Sequence, residues 1–330
     1  MRAPDLGTIE KYRRLFTDAS YWAPFVKVVC KKHGLGPVHN VRAGDVAGTY
    51  PVFIVDDKWV VKFFGTHFDG QHIFSVELEV GQLLSSRLDL PSPALIAHGY
   101  LLEGGEGCRW PYLAFEFVKA RSLSQVSDRL SFDEKAAIAR TVGTIMRTLH
   151  SVDLHDMMIL KPTWDGYRAM LQRQSIDCAE RHRNWGSLPE RLIGQIGDFL
   201  LPPEELVLQH NRPALLHGDL TEDHVLVTRN GTDWRLKAII DYGDALVGDP
   251  MYELVALHFD MFRCDKRLLQ EYLTVYGHQG RFGSEVARKL LSLCLLFPFD
   301  VFHLFLERHP VASTASGLYE LADWLFSLAV

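Results

Sequence analysis

The sequence predicts an α+β fold, in which a β-rich first part is followed by a mainly helical remainder. Before about residue 120, "TYPVFIV" and "KWVVKFF" are rich in the β-branched and aromatic residues that strands favour. After that point apolar residues recur mostly at helical spacing. One β-rich insert, between about residues 214 and 240, interrupts the helical part.

In the first part, Asp56-Asp57 separates the two β-rich runs, which predicts a hairpin. "FSVELEVGQLLSSRL" then has the spacing of a helix, and "PYLAFEFV" predicts another strand. Ahead of the hairpin, the loop "RAGDVAGTY" contains Gly44 and Gly48. Backbone N–H groups in such a loop can face phosphate oxygens.

In the helical part, "SFDEKAAIARTVGTIMRTLH" begins with Ser131 and Glu134, the pattern of a capping box. The tail from 251 to 330 is also mostly helical in pattern. Its most apolar stretch, "LLSLCLLFPFDVFHLFL", is interrupted by Pro298, Asp300 and His303. A pair of buried helices therefore explains it better than a membrane span.

The β-rich insert carries two polar loops. "ALLH" predicts a short strand that runs into "GDLTEDH", and "VLVT" and "RLKAII" predict two strands joined at Asn230-Gly231. The last strand leads directly into "DYGDALVGDP". We expect both polar loops at strand ends of one small sheet, which would bring Asp219 and Asp241 together.

Composition excludes several classes of function. The net charge is −6 and no long basic block occurs, so nucleic-acid binding is not expected. The opening "MRAPDLGTIEKYRRLF" lacks an apolar core, which argues against a secretory signal. The odd number of scattered cysteines argues for a reducing compartment, and we expect a cytoplasmic protein; they are Cys30, Cys108, Cys178, Cys264 and Cys294.

Three charged groups have the chemistry of phosphoryl transfer. Of two carboxylates brought together, one can accept a proton from a hydroxyl while the other holds a divalent cation. The nucleotide phosphates also need a positive side chain. Lys62 lies in the otherwise apolar "VVKFF" and needs a partner if it is buried. The following helix offers Glu77 and Glu79 as that partner.

The motifs, taken in their order along the chain, resemble those of the aminoglycoside phosphotransferase and choline kinase-like family. The family's catalytic loop is roughly H-G-D-x-x-x-x-N, and "HGDLTEDH" matches it from His217 to His224. The family's metal-binding Asp after an apolar strand is matched by Asp241, and its following D-P by Asp249-Pro250. The segment "TLHSVDL" is also similar to one in the family.

The resemblance covers about residues 40–260 and implies a two-lobed protein-kinase-like fold that binds ATP in the cleft. A β-rich small lobe would span residues 1–115, a hinge 116–120 and a larger helical lobe 121–330. Backbone groups of the hinge residues Glu116, Phe117 and Val118 would contact the edge of the adenine base. The glycine loop, including Gly48, would lie over the phosphates, although "AGTYP" lacks the Ser or Asn that the family often has there.

For the phosphates, the resemblance identifies Lys62 as the binding cation and Glu79, rather than Glu77, as its ion-pair partner. Glu79 precedes Pro91 of "LPSPAL" by twelve residues, which is the family's spacing before its P-x-P segment. Asp219 would accept or orient the proton of the acceptor hydroxyl. Asp241 would bind the metal ion, Mg²⁺ or Mn²⁺.

The implied activity is transfer of the γ-phosphoryl group of ATP to a hydroxyl group. The acceptor would be a small aminoglycoside-like, amino alcohol-like or sugar-like molecule, and a protein hydroxyl is also compatible. A cationic acceptor is compatible with four acidic residues near the motifs, which ordinary solvated loops would also explain. They are Glu222, Asp223, Asp244 and Glu253.

His224 stands where the family has a metal-binding Asn. It is either a metal ligand or a hydrogen-bond partner of Asp219 that supports the loop. Two other functions remain open from the residues: a nucleotide-binding pseudokinase without activity, and a non-haem iron oxygenase with His217, Asp219 and His224 as ligands. The oligomeric state and the choice between ATP and GTP are not predicted.

Overall fold

The computed structural model of the protein describes residues 4, 6–45, 48–87, 90–102, 109–207, 212–231, 233–277, 282–309 and 314–328. The chain groups into two units that alternate along the sequence. The first contains residues 1–126 and 223–244, and the second contains 127–222 and 245–330. The predicted lobes are continuous in sequence, whereas residues 223–244 group with the first unit here; the lobe boundaries stay a prediction.

The described strands are, in chain order, β1 (Val41–Ala43), β2 (Val52–Val55), β3 (Trp59–Phe63), β4 (Leu95–Tyr100), β5 (Pro111–Glu116), β6 (Arg121–Ser122), β7 (Ala214–Leu216), β8 (Val225–Asn230), β9 (Asp233–Ile239) and β10 (Leu246–Gly248). The described helices are α1 (Ile9–Leu15), α2 (Ala19–Lys32), α3 (Gly70–Arg87), α4 (Phe132–His150), α5 (Trp164–Ile176), α6 (Cys178–Trp185), α7 (Glu190–Ile193), α8 (Ile196–Phe199), α9 (Glu253–Ala256), α10 (Lys266–Tyr276), α11 (Ser284–Leu296), α12 (Phe302–Arg308) and α13 (Leu318–Phe326). A π-helical turn at Leu257–Met261 follows α9.

The first unit is built on an antiparallel sheet with the strand order β1-β2-β3-β5-β4. Alternate side chains of a strand point to opposite faces. On β3, Val61 and Phe63 join the apolar cluster that contains α1 and α2. Lys62, between them, points to the other face and meets α3. Both faces of the sheet are therefore covered by helices.

The predicted hairpin and the helix after it are confirmed. β2 and β3 pair antiparallel, and Asp56 and Asp57 at the turn have φ angles of 52° and 49°. Asp tolerates this left-handed conformation better than most residues, and the tight hairpin turn that matches strand twist requires it. The helix predicted around "FSVELEVGQLLSSRL" is α3, and the strand predicted at "PYLAFEFV" is β5.

The expectation that both polar loops leave one small sheet is wrong. β7 pairs with β10 in the second unit, whereas β8 pairs with both β6 and β9 in the first unit. The cause is the segment Leu246–Gly248, which forms a strand that the sequence pattern did not predict. Asp219 therefore belongs to the second unit and Asp241 to the first.

The second unit is mainly helical. Ser131 and Glu134 form the predicted capping box at the start of α4, and α4 packs along α10. The buried carbonyl oxygen of Leu295, near the end of α11, accepts hydrogen bonds from Cys178, Arg181 and His182 of α6. These bonds satisfy a helix terminus that would otherwise carry unpaired carbonyl groups.

The apolar stretch near residue 300 forms two separate short helices, α11 and α12. Among the described helices, none has the length and apolar character needed to cross a membrane. Four cysteines are buried free thiols, namely Cys30, Cys178, Cys264 and Cys294. Cys108 lies outside the described residues.

Candidate active site

The centre of the first unit is a cluster of one ammonium and two carboxylate groups. Nζ of Lys62 lies 2.7 Å from Oε2 of Glu77 and 2.7 Å from Oδ1 of Asp241. The three side chains come from β3, α3 and the turn after β9. Lys62 and Glu77 are each only 5% exposed, whereas the side chain of Asp241 is 35% exposed.

The charges of this cluster stabilise each other. Burial alone would lower the pKa of Lys62, but the carboxylates of Asp241 and Glu77 raise it above its ordinary value. Burial raises the pKa of Glu77, against the opposing effect of Lys62. Lys62 is therefore a permanently charged group at neutral pH, which suits a residue that neutralises phosphate charge.

The prediction that Glu79 pairs with Lys62 is wrong, because Glu77 does so. Residues two apart on a helix point about 200° apart, so only one of the two can face β3. Glu77 shares the inner face of α3 with Phe74 and Gly81, three positions before it and four after. Glu79 is half-buried on another side of α3.

Asp241 reaches Lys62 through an unusual backbone conformation. Its φ angle is 64°, in the left-handed region, directly after β9 ends at Ile239. Two residues later, a Cβ atom at Gly243 would lie 2.8 Å from Cγ2 of Ile73 on α3. Glycine thus allows the turn to approach α3 closely, and this contact sets the position of Asp241 relative to Glu77.

A pocket of the first unit opens beside the charged cluster. Its charged end contains Lys62, Glu77, Asp241 and His224, and Gly44 and Gly48 of the loop between β1 and β2 also line it. The rest of its wall is largely apolar and includes Ile54, Val60, Leu84, Phe115, Leu226 and Ile239. An apolar pocket with a few charged groups at one end is typical of a small-molecule binding site.

Glu116, Phe117 and Val118, the predicted hinge, also line this pocket. The N–H groups of Glu116 and Phe117 donate to the carbonyl oxygens of Ala94 and Lys58. The N–H of Val118 donates to no group within the described residues. Among the described groups of the predicted hinge, this N–H is therefore available to donate into the pocket.

His224 lies next to the predicted metal-binding carboxylate. Its Nε2 atom is 3.8 Å from Oδ2 of Asp241, while Oδ1 of Asp241 faces Lys62. An imidazole nitrogen and a carboxylate oxygen at this separation can share one divalent cation with phosphate oxygens. The residues present thus fit a nucleotide-bound metal ion, although an imidazole suits Mg²⁺ less well than an amide oxygen would.

The loop that carries Asp219 begins in the second unit and is held by Glu253. The Glu253 carboxylate accepts the backbone N–H of His217 at 2.7 Å and that of Gly218 at 3.3 Å. Burial would raise the pKa of Glu253, but hydrogen bonding and charge from His150 and His217 lower it below its ordinary value. An ionised, 1% exposed carboxylate therefore fixes the backbone directly before Asp219.

Three of the four acidic residues considered for a cationic acceptor have partners in the protein. Glu222 forms a two-point ion pair with Arg263, with bonds of 3.0 and 2.8 Å, and accepts from Ser127. Asp223 accepts a hydrogen bond from Ser124, and Glu253 holds the loop. These contacts give the three residues structural roles, which sequence spacing alone could not distinguish from substrate binding.

The iron-oxygenase alternative requires three protein ligands around one ion. Within the part of the chain that the structure describes, no group of three or more His, Cys, Asp or Glu side chains is arranged to hold a metal.

Comparison with protein families gives an independent result. A family model described as "APH: Phosphotransferase enzyme family" matches residues 47–290, about three quarters of the chain. Helices α1 and α2 lie before this matched part.

Two curated relatives share part of the sequence. "Lysine-specific demethylase JMJ21" of Arabidopsis thaliana is 24% identical over 202 residues, which cover 51% of this chain and 21% of the relative. "Uncharacterized protein YcbJ" of Bacillus subtilis is 23% identical over 173 residues, which cover 51% of this chain and 52% of the relative. The chain thus matches only about a fifth and about half of these relatives' lengths.

Solved structures are similar over most of the chain. A GDP and kanamycin complex of an APH(2″) enzyme has a TM-score of 0.64 at 19% identity and covers 83% of this chain and 88% of its own. A GDP complex of aminoglycoside 2′-phosphotransferase-IIIa has a TM-score of 0.63 at 18% identity and covers 92% of this chain and 95% of its own. A streptomycin–ATP–APH(2″)-IIa complex has a TM-score of 0.53 at 20% identity and covers 81% of this chain and 84% of its own. The predicted α+β, protein-kinase-like fold is therefore confirmed.

Proposed function

Because the chain belongs to the phosphotransferase enzyme family, we propose that it transfers the γ-phosphoryl group of ATP to a hydroxyl group of a small molecule. The observation that carries this proposal is the buried Lys62–Glu77 pair, with the half-buried Asp241 beside it, at the charged end of an apolar pocket. Taking such charges out of water has a desolvation cost even when they are paired. The use of this pair in binding phosphate explains why it is present.

In the proposed complex the base lies among the apolar residues of the pocket. The N–H of Val118 donates a hydrogen bond to the base edge, since no described protein group occupies this donor. Lys62, held in place by Glu77, neutralises the α- and β-phosphates. The backbone of the loop that contains Gly44 and Gly48 contacts phosphate oxygens.

Asp241 and His224 would hold a divalent cation, Mg²⁺ or Mn²⁺, which would supply positive charge to the phosphates. Asp219 accepts or orients the proton of the acceptor hydroxyl, as its place in the "HGD" loop suggests. Most of the rate acceleration in such a reaction comes from positioning and electrostatic stabilisation. The buried Glu253 serves that positioning by fixing the backbone before Asp219.

The acceptor is proposed at the level of class: an aminoglycoside, amino alcohol or sugar with a free hydroxyl. Kanamycin, gentamicin and streptomycin occur in complexes of the similar structures. These ligands support testing polyhydroxylated amines and sugars first. The proposal does not require a cationic acceptor, because Glu222, Asp223 and Glu253 already have partners.

A screen for nucleotide consumption tests the proposal. Purified protein is incubated with Mg²⁺ or Mn²⁺, ATP or GTP, and a library of hydroxyl-bearing metabolites and antibiotics, and phosphorylated products are identified by mass spectrometry. Asp219→Asn is the inactive control, and Asp165→Asn, whose side chain is 90% exposed, controls for the substitution itself. Nucleotide binding without transfer to any acceptor would instead support an inactive nucleotide-binding module.

A further inference from the structure

Helix α1 contacts the loop that the proposed function assigns to phosphate binding. The hydroxyl of Tyr12 donates a hydrogen bond of 2.6 Å to the carbonyl oxygen of Thr49, the residue after Gly48. Tyr12 is 2% exposed and belongs to the apolar cluster of α1, α2 and the sheet. The loop between β1 and β2 is thus tied to a helix that lies outside the part matched by the family model.

The same ring contacts the connection between β3 and α3. Tyr12 packs edge-on against His67, with ring centroids 5.0 Å apart, and against Phe68 at 5.9 Å. Nε2 of His67 donates to the carbonyl oxygen of Leu6, just before α1. This connection joins the strand that carries Lys62 to the helix that carries Glu77. Through Tyr12, α1 therefore contacts two elements of the proposed nucleotide site, the glycine loop and this connection.

A second tyrosine, Tyr50, joins these elements close to Lys62. The Tyr50 hydroxyl donates to the carbonyl oxygen of Phe68 at 2.6 Å. Its ring centroid lies 5.6 Å from Nζ of Lys62. Thr49 and Tyr50 are therefore held on one side by Tyr12 and on the other by the turn at Phe68. The backbone of the glycine loop is fixed directly after Gly48.

We propose that Tyr12 is a positioning residue for nucleotide binding, which holds the glycine loop in register with Lys62 and Glu77. The proposal rests on the proposed function, because it assumes that this loop contacts phosphate. A loop that binds through backbone N–H groups must lose conformational entropy when it closes on a ligand. Ordering it in advance through the Tyr12–Thr49 bond lowers that cost and strengthens binding.

Tyr12→Phe removes only the hydroxyl group and keeps the ring that packs against His67 and Phe68. The matched control is Tyr100→Phe, on β4 of the same sheet. Tyr100 packs against Phe74, and its hydroxyl bonds to no group in the described part of the chain. Binding of the fluorescent probe mant-ADP is measured with Mg²⁺ present. We expect Tyr12→Phe to weaken binding about three- to tenfold, the range of one lost hydrogen bond, and Tyr100→Phe to bind as the wild type does.

Hydrogen–deuterium exchange of the nucleotide-free protein gives a readout that does not depend on the proposed function. In Tyr12→Phe, the amides of Gly48, Thr49 and Tyr50 should exchange faster than in the wild type and in Tyr100→Phe. Unchanged mant-ADP affinity in Tyr12→Phe would overturn the inference, whether or not exchange in the loop increases. If exchange in this loop is slow in the wild type but the wild type binds neither mant-ADP nor mant-GTP, the proposed function and this inference are both wrong.

Discussion

Glu77, and not Glu79, places its carboxylate 2.7 Å from the ammonium group of Lys62. The pair is almost fully buried and lies at the charged end of the pocket. Removing one partner from such a pair leaves the other charge with too little compensation in a low-dielectric environment. The two glutamates, two residues apart on one helix, therefore provide a direct test of how Lys62 is positioned.

Glu77→Gln should raise the KM for ATP about tenfold or more, because it removes the negative charge that strengthens the hydrogen bond to Lys62. Glu79→Gln is the matched control and should change the KM by less than about twofold, as a change away from the pair. Lys62→Ala should show a defect at least as large as that of Glu77→Gln. Steady-state kinetics at several ATP concentrations separate these outcomes, and equal effects of the two Gln variants would contradict the assignment.

Glu253→Gln should lower kcat while nucleotide affinity stays unchanged. The amide can still accept one backbone N–H, but its NH₂ group would face the N–H of the other residue, His217 or Gly218. The resulting displacement of the loop before Asp219 should cost about 10- to 100-fold in kcat. Glu271→Gln, which loses an ion pair with Arg140, controls for helix-surface changes. A loss of nucleotide affinity without a loss of kcat would argue against this role.

His224→Asn tests whether the imidazole binds the metal ion beside Asp241. If it does, the wild type should use Mn²⁺ at least as well as Mg²⁺, and the variant should shift its preference toward Mg²⁺. Protonation of an imidazole ring, which ordinarily occurs near pH 6.5, should compete with metal binding. A higher metal concentration should therefore shift the loss of activity at acidic pH to lower pH. Turnover is measured with each metal at several pH values. The same metal preference in both proteins would show that His224 is not a ligand.

His258 should make the protein less stable as the pH falls. Its Nε2 donates to the carbonyl oxygen of Leu325, and its Nδ1 has no hydrogen-bond partner in the described structure. Burial lowers the pKa of His258 from 6.5 to about 4. Because the folded state disfavours the protonated ring, stability is full above pH 6.5 and is lost progressively down to about pH 4.

The change between pH 7 and pH 5 should be about 2 kcal/mol from this one group. Urea denaturation at both pH values measures it. His258→Gln keeps a donor for Leu325 but cannot titrate, so its stability should fall less over this interval. His303→Gln, at a side chain that is 64% exposed, should keep the wild-type pH dependence. Equal slopes for wild type and His258→Gln would exclude His258 as the cause.

Local sequence patterns predicted the elements whose signals are local. The hairpin at Asp56-Asp57, helix α3 and the capping box at Ser131 each depend on residues that are close together in sequence. The register of α3 was also available from the sequence, because Phe74, Glu77 and Gly81 recur at helical spacing. A spacing to the downstream "LPSPAL" indicated Glu79 instead, and such a spacing carries no information about which side of a helix a residue occupies.

Long-range pairing was not predictable in the same way. β7 pairs with β10, whose residues follow β7 by about thirty positions and include no strong strand signal. The helices α1 and α2 were not predicted, although Trp22, Val26 and Val29 recur at helical spacing and are fully buried against the sheet. Their contact with the glycine loop depends on tertiary packing, which composition and motif matching do not report.

The role of Asp219 is the central claim, and Asp219→Asn tests it most directly. With an acceptor from the screen, phosphoryl transfer and mant-ATP affinity are measured for wild type, Asp219→Asn and the exposed control Asp165→Asn. General base catalysis typically contributes about 10²- to 10⁴-fold, so turnover of Asp219→Asn should fall by at least about 10²-fold while its nucleotide affinity and the activity of Asp165→Asn stay unchanged. Turnover of Asp219→Asn close to that of the wild type would contradict the proposed mechanism.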